Sequence, residues 1–127
     1  MQAKPDLSLD SLEMDSLSHL NEILIEHNCV VSMSIEMQDF KYNLALTMSS
    51  SDDAELGAVT VNFQDVSALN LSGFGGGLTQ FMDLVVSRVD SGLDRIRYEL
   101  RDVEDEKISF YFFTFSGPIH KERSCGF

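Results

Sequence analysis

The chain is short of positive charge, and the shortage is uneven. Of 127 residues, 9 are Lys or Arg and 21 are Asp or Glu, a formal net charge of −12. From Met1 to Val86 only Lys4 and Lys41 are basic, beside thirteen acidic residues; from Ser87 to Phe127 seven basic residues meet eight acidic ones. Such a field repels phosphate backbones and attracts basic proteins. Nucleic acid is excluded as a partner, because counterion release requires a cationic footprint. Cysteine is scarce too. Cys29 and Cys125 stand far apart in the chain, which is not the spacing of a disulfide framework. Both are expected to be free thiols, Cys29 as a small buried hydrophobe and Cys125 exposed in the tail.

Long apolar runs are missing. The densest, Ile108 to Phe115, is broken by Ser109 and Thr114 and falls well short of the roughly 18 residues of a membrane span. Met1 to Asp6 holds no basic segment followed by an apolar one, so no secretory leader is expected and the expected compartment is the cytoplasm.

The signatures of catalysis are missing as well. No Cys-x-x-Cys or His-Glu-x-x-His pattern is present, which argues against zinc. His19 and His27 lie about 80° apart around a helix and two turns apart in height, too far to share a metal, and His120 is remote. No Gly-x-Ser-x-Gly elbow occurs. Gly73-Phe74-Gly75-Gly76-Gly77 lacks the Lys-Ser or Lys-Thr that completes a phosphate loop, and reads as a bend or flap. The reading is therefore non-enzymatic, with no cofactor and no metal.

What is present suffices for a core. Apolar residues make up 43% of the chain, with nine Phe and three Tyr, and the length fits one domain over 1–127. Its ends, 1–9 and 118–127, are expected to be loosely ordered. Asp10-Ser11-Leu12-Glu13 has the form of a capping box. Leu12, Leu17, Leu20, Ile23 and Leu24 follow at helical spacing, which predicts a helix over about 11–27. After Asn28 the period becomes two. Val31, Met33, Ile35 and Met37, then Tyr42, Leu44, Leu46 and Met48, predict a hairpin without the usual Asn-Gly or Asp-Gly turn. Val59, Val61 and Phe63 predict a third strand, and Val66 to Leu71 a short fourth. Residues 78–89 fit both periods; their valines and the Asp90-Ser91-Gly92 breaker favour a strand from about Phe81. Arg95 to Arg101 alternates, and Ile108 to Phe113 is apolar on both faces, the mark of a central strand. The predicted fold is α+β: an antiparallel sheet of six or seven strands with the N-terminal helix packed on it, or alternatively a two-sheet β-sandwich.

Two acidic clusters fall on predicted loops, Asp52, Asp53 and Glu55 in one and Glu104, Asp105 and Glu106 in the other. Neither has the EF-hand spacing. These six residues are the candidate contacts for a basic protein partner. Arg95, Arg97, Glu99 and Arg101 form a basic face that either binds an anion or pairs with Asp65, Asp102 or Glu106.

The stretches Val59 to Leu71, Tyr98 to Glu104 and Ile108 to Phe112 together resemble small uncharacterised bacterial β-rich proteins. They share a strand ending in Phe-x-x-Val, a Leu-x-Leu strand and a late hairpin with an acidic turn. Some proteins of that kind are classed as immunity proteins in polymorphic toxin systems, so the resemblance implies a toxin-neutralising role. The expectation is an acidic binding protein, possible alternatives being a homodimeric accessory domain and a small-ligand protein with a pocket beneath the glycine loop.

Overall fold

The computed structural model describes residues 5–50, 57–77, 79–81, 83–90, 92–93 and 95–121. It is an α+β fold in the order α1 (Pro5–Glu26), β1 (Cys29–Gln38), β2 (Lys41–Ser49), β3 (Ala58–Gln64), β4 (Ser67–Leu71), β5 (Leu84–Arg88), β6 (Tyr98–Asp102), β7 (Ile108–Phe112) and β8 (Thr114–Lys121). The strands number eight rather than six or seven. They form two antiparallel four-stranded sheets, β1-β2-β3-β8 and β4-β7-β6-β5, so the number of sheets follows the alternative reading.

The period-two residues of both sheets meet in one core. Leu44, Leu46, Met48, Val61 and Phe63 come from the first sheet; Leu84, Val86, Tyr98, Leu100, Ile108, Phe110 and Phe112 come from the second. Phe63 sits between the layers, with its ring centroid 5.1 Å from Phe110 and 4.8 Å from Phe112, both edge-to-face. That geometry sets positive ring edges against negative faces. Leu20 and Leu24 of α1 and Phe81, ahead of β5, complete the cluster.

The helix begins at Pro5, before the predicted start. Proline suits a first helical position because its fixed φ is helical and its missing N–H has no intrahelical partner there. Asp10 to Glu13 therefore lies inside the helix and is not its cap. α1 lies against β5, an outer strand of its sheet. There the Asn21 carboxamide accepts the Val86 N–H at 2.8 Å and donates to the Val86 carbonyl at 2.9 Å. One side chain thus does for this edge what a neighbouring strand would do.

The chain passes between the sheets twice at one corner. β3 leads to β4 through Asp65-Val66, and β7 leads to β8 through Phe113. The Phe113 N–H donates to the Gln64 carbonyl at 2.9 Å, and the Val66 N–H to the Tyr42 carbonyl at 2.8 Å. The predicted central strand ends here. β7 is central in its own sheet, with Ile108, Phe110 and Phe112 buried, but its outer face is not covered: Tyr111 is half-buried and Phe113 exposed. The apolar run beyond it belongs to the other sheet.

The β1–β2 pairing carries a bulge between Val30 and Ser32. An extra residue in one strand shifts the side-chain phase. Val30, Met33, Ile35 and Met37 lie opposite Met48, Leu46, Leu44 and Tyr42, while Val31, predicted to face inward, is exposed. The hairpin closes on Asp39 and Phe40, both at positive φ (54° and 64°). This is the two-residue turn that suits strand twist, made without glycine.

Candidate functional site

The molecule has two dissimilar ends. At one end, Ser49 of β2 is paired with Cys29, and Cys29 with Gln80. The Lys107 Nζ donates to the Gln80 carbonyl at 2.9 Å, and the Ser72 N–H to the Lys107 carbonyl at 2.8 Å. The β6–β7 turn, the glycine loop and the strand ends flanking the β2–β3 connection are thereby gathered together. Of the six candidate contacts, Glu104, Asp105 and Glu106 stand exposed on this turn. Asp52, Asp53 and Glu55 lie outside the described residues.

The turn is held from beneath by Asp102, whose side chain is fully buried. One carboxyl oxygen accepts the Lys107 N–H at 3.1 Å, and the Asp102 carbonyl accepts the Glu106 N–H at 3.0 Å. The other carboxyl oxygen has no partner among the described residues. Glu106 takes a positive φ of 55°. A short polar side chain bonding a backbone N–H further on is the usual way to fix a tight turn. Asp105 and Glu106 also line a shallow groove with Arg101, Asn70, Ser72 and Ser109.

The glycines of the adjoining loop are there for conformation. Gly75 and Gly77 have φ of 93° and 127°, and a Cβ at either would meet nothing within 4 Å. A close backbone crossing is therefore not the reason for them. Thr79 Oγ1 accepts the Gly75 N–H at 3.2 Å. Phe74 is half-buried and packs on Phe81 with centroids 5.9 Å apart, so an aromatic ring occupies space beneath the loop.

The other end is the corner where the sheets exchange strands. Arg95 precedes β6 and is not part of it, so the predicted basic face comes apart. Its guanidinium donates to both carboxyl oxygens of Asp65, at 2.8 and 2.6 Å. Arg97 lies over the Phe113 ring, 5.7 Å from its centroid. Arg101 stands in the groove beside the acidic turn. A cleft of about 500 Å³ opens at the corner, lined by Arg88, Asp90, Leu93, Ile96, Arg97 and Phe113. Among the described residues, no group of three or more metal-ligating side chains converges, and no helix is long and apolar enough to cross a membrane.

The Asp65–Arg95 pair has a measurable consequence. Its hydrogen bonds to Arg95 hold the Asp65 carboxyl below its ordinary value of 3.8; burial opposes this, and the charges of Arg95 and Lys41 reinforce it. A carboxyl depressed in the folded state adds stability that is complete above its unfolded value and is lost as pH falls through the folded one. Urea titrations of wild type and Asp65→Asn are expected to differ by a constant amount from pH 7 down to about 5. The difference should then shrink as pH drops below 3.8. A gap unchanged at pH ~2 would mean that the pair contributes nothing through ionisation.

Comparison with family models, with curated proteins and with solved structures finds no match to this chain. The geometry alone bears on function. It offers an acidic turn, an arginine-lined corner and an exposed hairpin.

Proposed function

We propose that the protein is a non-enzymatic cytoplasmic binding protein that engages a basic protein partner through its acidic end. The observation that carries this reading is the β6–β7 turn, where Glu104, Asp105 and Glu106 are exposed together above a buried Asp102 that restrains the backbone. A turn whose backbone is already fixed loses little main-chain freedom when a cationic surface docks, and the net charge of −12 raises the encounter rate with such a surface. The resemblance to immunity proteins supports a toxin domain as the partner. An acidic protein seated over a cationic active site blocks substrate access without any chemistry of its own.

Capture from the source cell's lysate tests it. The wild-type chain is expected to retain a basic polypeptide at low ionic strength and to release it as salt rises, because exposed charges are screened within about 8 Å at physiological salt. The triple variant Glu104→Gln, Asp105→Asn, Glu106→Gln should weaken capture by about tenfold or more, from three rim charges at roughly 0.5–1 kcal/mol each. Equal capture by wild type and triple variant would place the contact elsewhere. A catch insensitive to salt would remove the electrostatic reading.

A further inference from the structure

Two four-stranded sheets have four outer strands, and each outer strand presents backbone groups that another chain can pair with. Three of the four are blunted here. β5 is met by the Asn21 carboxamide. β4 has five residues, with a register break between Ser67 and Asn70 and Ala68 at a φ of 55°. β8 has a register break that places Gly117 and Pro118 opposite Val61, and proline supplies no N–H.

β1 has no such device over most of its length. Its first residues are covered, since the Val30 N–H donates to the Thr79 carbonyl and the Phe81 N–H to the Asn28 carbonyl. From Ser32 to Gln38 no strand pairs with its outer side among the described residues. That segment contains no proline and no lysine, and Glu36 is its single charge. Pairing alternates away from the Gln38–Lys41 closing pair. Met33, Ile35 and Met37 therefore turn their backbone groups outward, while Ser34 and Glu36 turn theirs to β2.

Side chains mark the same place. The core-side stripe of the hairpin continues past the cover of the second sheet, and Ile35, Met37, Phe40 and Tyr42 expose 46, 60, 89 and 52% of their surfaces. Together they present on the order of 400 Å² of apolar surface, the size of the largest patch on a typical monomer, which is often a contact site. Phe40 holds its exposed ring at a φ of 64°, a region costly for a bulky side chain.

We infer that a second copy of this chain adds to the free edge of β1, antiparallel about a two-fold axis at Ile35, joining the two β1-β2-β3-β8 sheets into one of eight strands. Self-pairing fits the strand. With the axis at Ile35, Met33 opposes Met37 of the second copy and Ile35 opposes its own equivalent. Every outward backbone group meets another, and the apolar stripes merge on one face. Ser34 then opposes Glu36, so the two Glu36 side chains become diagonal neighbours about 7–8 Å apart. This is the one like-charge contact along the paired edge. Edge pairing of two copies buries the outward backbone groups and the facing flanks of Met33, Ile35 and Met37, less than the roughly 1,200 Å² of a standard interface, so the dimer belongs to the weak class with a dissociation constant in the micromolar range.

Sedimentation equilibrium of the full chain between roughly 1 and 100 µM, in low and high salt, tests this. A reversible species of twice the 14.2 kDa chain mass is expected, retained or favoured at high salt because screening relieves the repulsion of two acidic bodies. Met37→Lys puts a charge on the open edge and should weaken the dimer at least about tenfold. Ile35→Pro removes an outward N–H without removing a β1–β2 hydrogen bond, and should do the same with the β-sheet circular dichroism retained. Glu36→Gln should tighten the dimer a few-fold. A wild-type chain that stays monomeric throughout, or a dimer indifferent to both Met37→Lys and Ile35→Pro, overturns the inference. So does a monomer whose capture of a foreign polypeptide is lost in Ile35→Pro, since the edge would then serve another strand. The proposed function fails on separate grounds, because its variants lie at Glu104 to Glu106 and its signal weakens as salt rises.

Discussion

Phe63→Ala is expected to lower stability by about 3–5 kcal/mol, the range for deleting a buried aromatic ring. Phe63 is fully buried between the two sheets and meets Phe110 and Phe112 edge-to-face. The substitution removes apolar burial, leaves a void that rigid strands cannot close, and breaks two aromatic contacts. A domain of this size is stable by about 5–15 kcal/mol, so the variant should melt roughly 10–20 °C lower. The chain has no tryptophan, which makes Tyr98 a convenient reporter: its ring is buried and stacked on Phe112 at 5.3 Å. Urea unfolding followed by tyrosine fluorescence and circular dichroism should give coincident transitions. Phe113→Ala serves as the control, because Phe113 is on the outer side and partly exposed. A loss of under about 1 kcal/mol for Phe63→Ala would mean that the sheets do not share this core.

How much of this was legible beforehand depends on how far each feature reaches along the chain. Val59, Val61 and Phe63 read as inward residues because strand alternation is local, and all three are buried. Residues 84–88 form a strand, as their valines suggested, although it starts at Leu84 and not near Phe81. The stripe of Leu17, Leu20, Ile23 and Leu24 on α1 was equally plain. The bulge at Val31 was hidden because Val30 and Val31 are both apolar, so either phase looks satisfied. The break at Phe113 was hidden for the same reason, between Phe112 and Phe115. What sets it is a bond to Gln64, 49 residues earlier, which no local pattern contains. Eight strands in two sheets follow from those breaks.

The acidic turn was legible because Asp102 to Glu106 is contiguous, whereas Asp102 as its buried anchor was not. Pairing of Asp65 with Arg95 was one of two readings of the basic face, and proximity across the corner decided it. The open edge of β1 had no sequence signal at all. Whether an edge is free depends on strand order, and strand order is decided by partners elsewhere.

Asn21 is the second residue whose loss should be severe, and nothing in its helical neighbourhood announces it. Removing its carboxamide in Asn21→Ala leaves the Val86 N–H and carbonyl without their bonds at the α1–β5 contact. Two bonds lost, with partly buried groups unable to recover water fully, should cost about 2–3 kcal/mol. The Val86 amide should also become one of the faster-exchanging protons of the second sheet, since its protection depends on this side chain. Asn21→Asp separates hydrogen bonding from packing. An ionised aspartate still accepts the Val86 N–H but cannot donate to the carbonyl; a protonated one can do both. Its folded pKa is therefore expected above the ordinary aspartate value of about 3.9. By the sign of that shift, the variant is most stable below the unfolded value and loses stability as pH rises through the folded one. Asn21→Asp should then approach wild type near pH ~3 and fall towards Asn21→Ala at pH ~7. A variant that tracks Asn21→Ala at both pH values would show that the side chain acts by filling space and not by pairing with the strand.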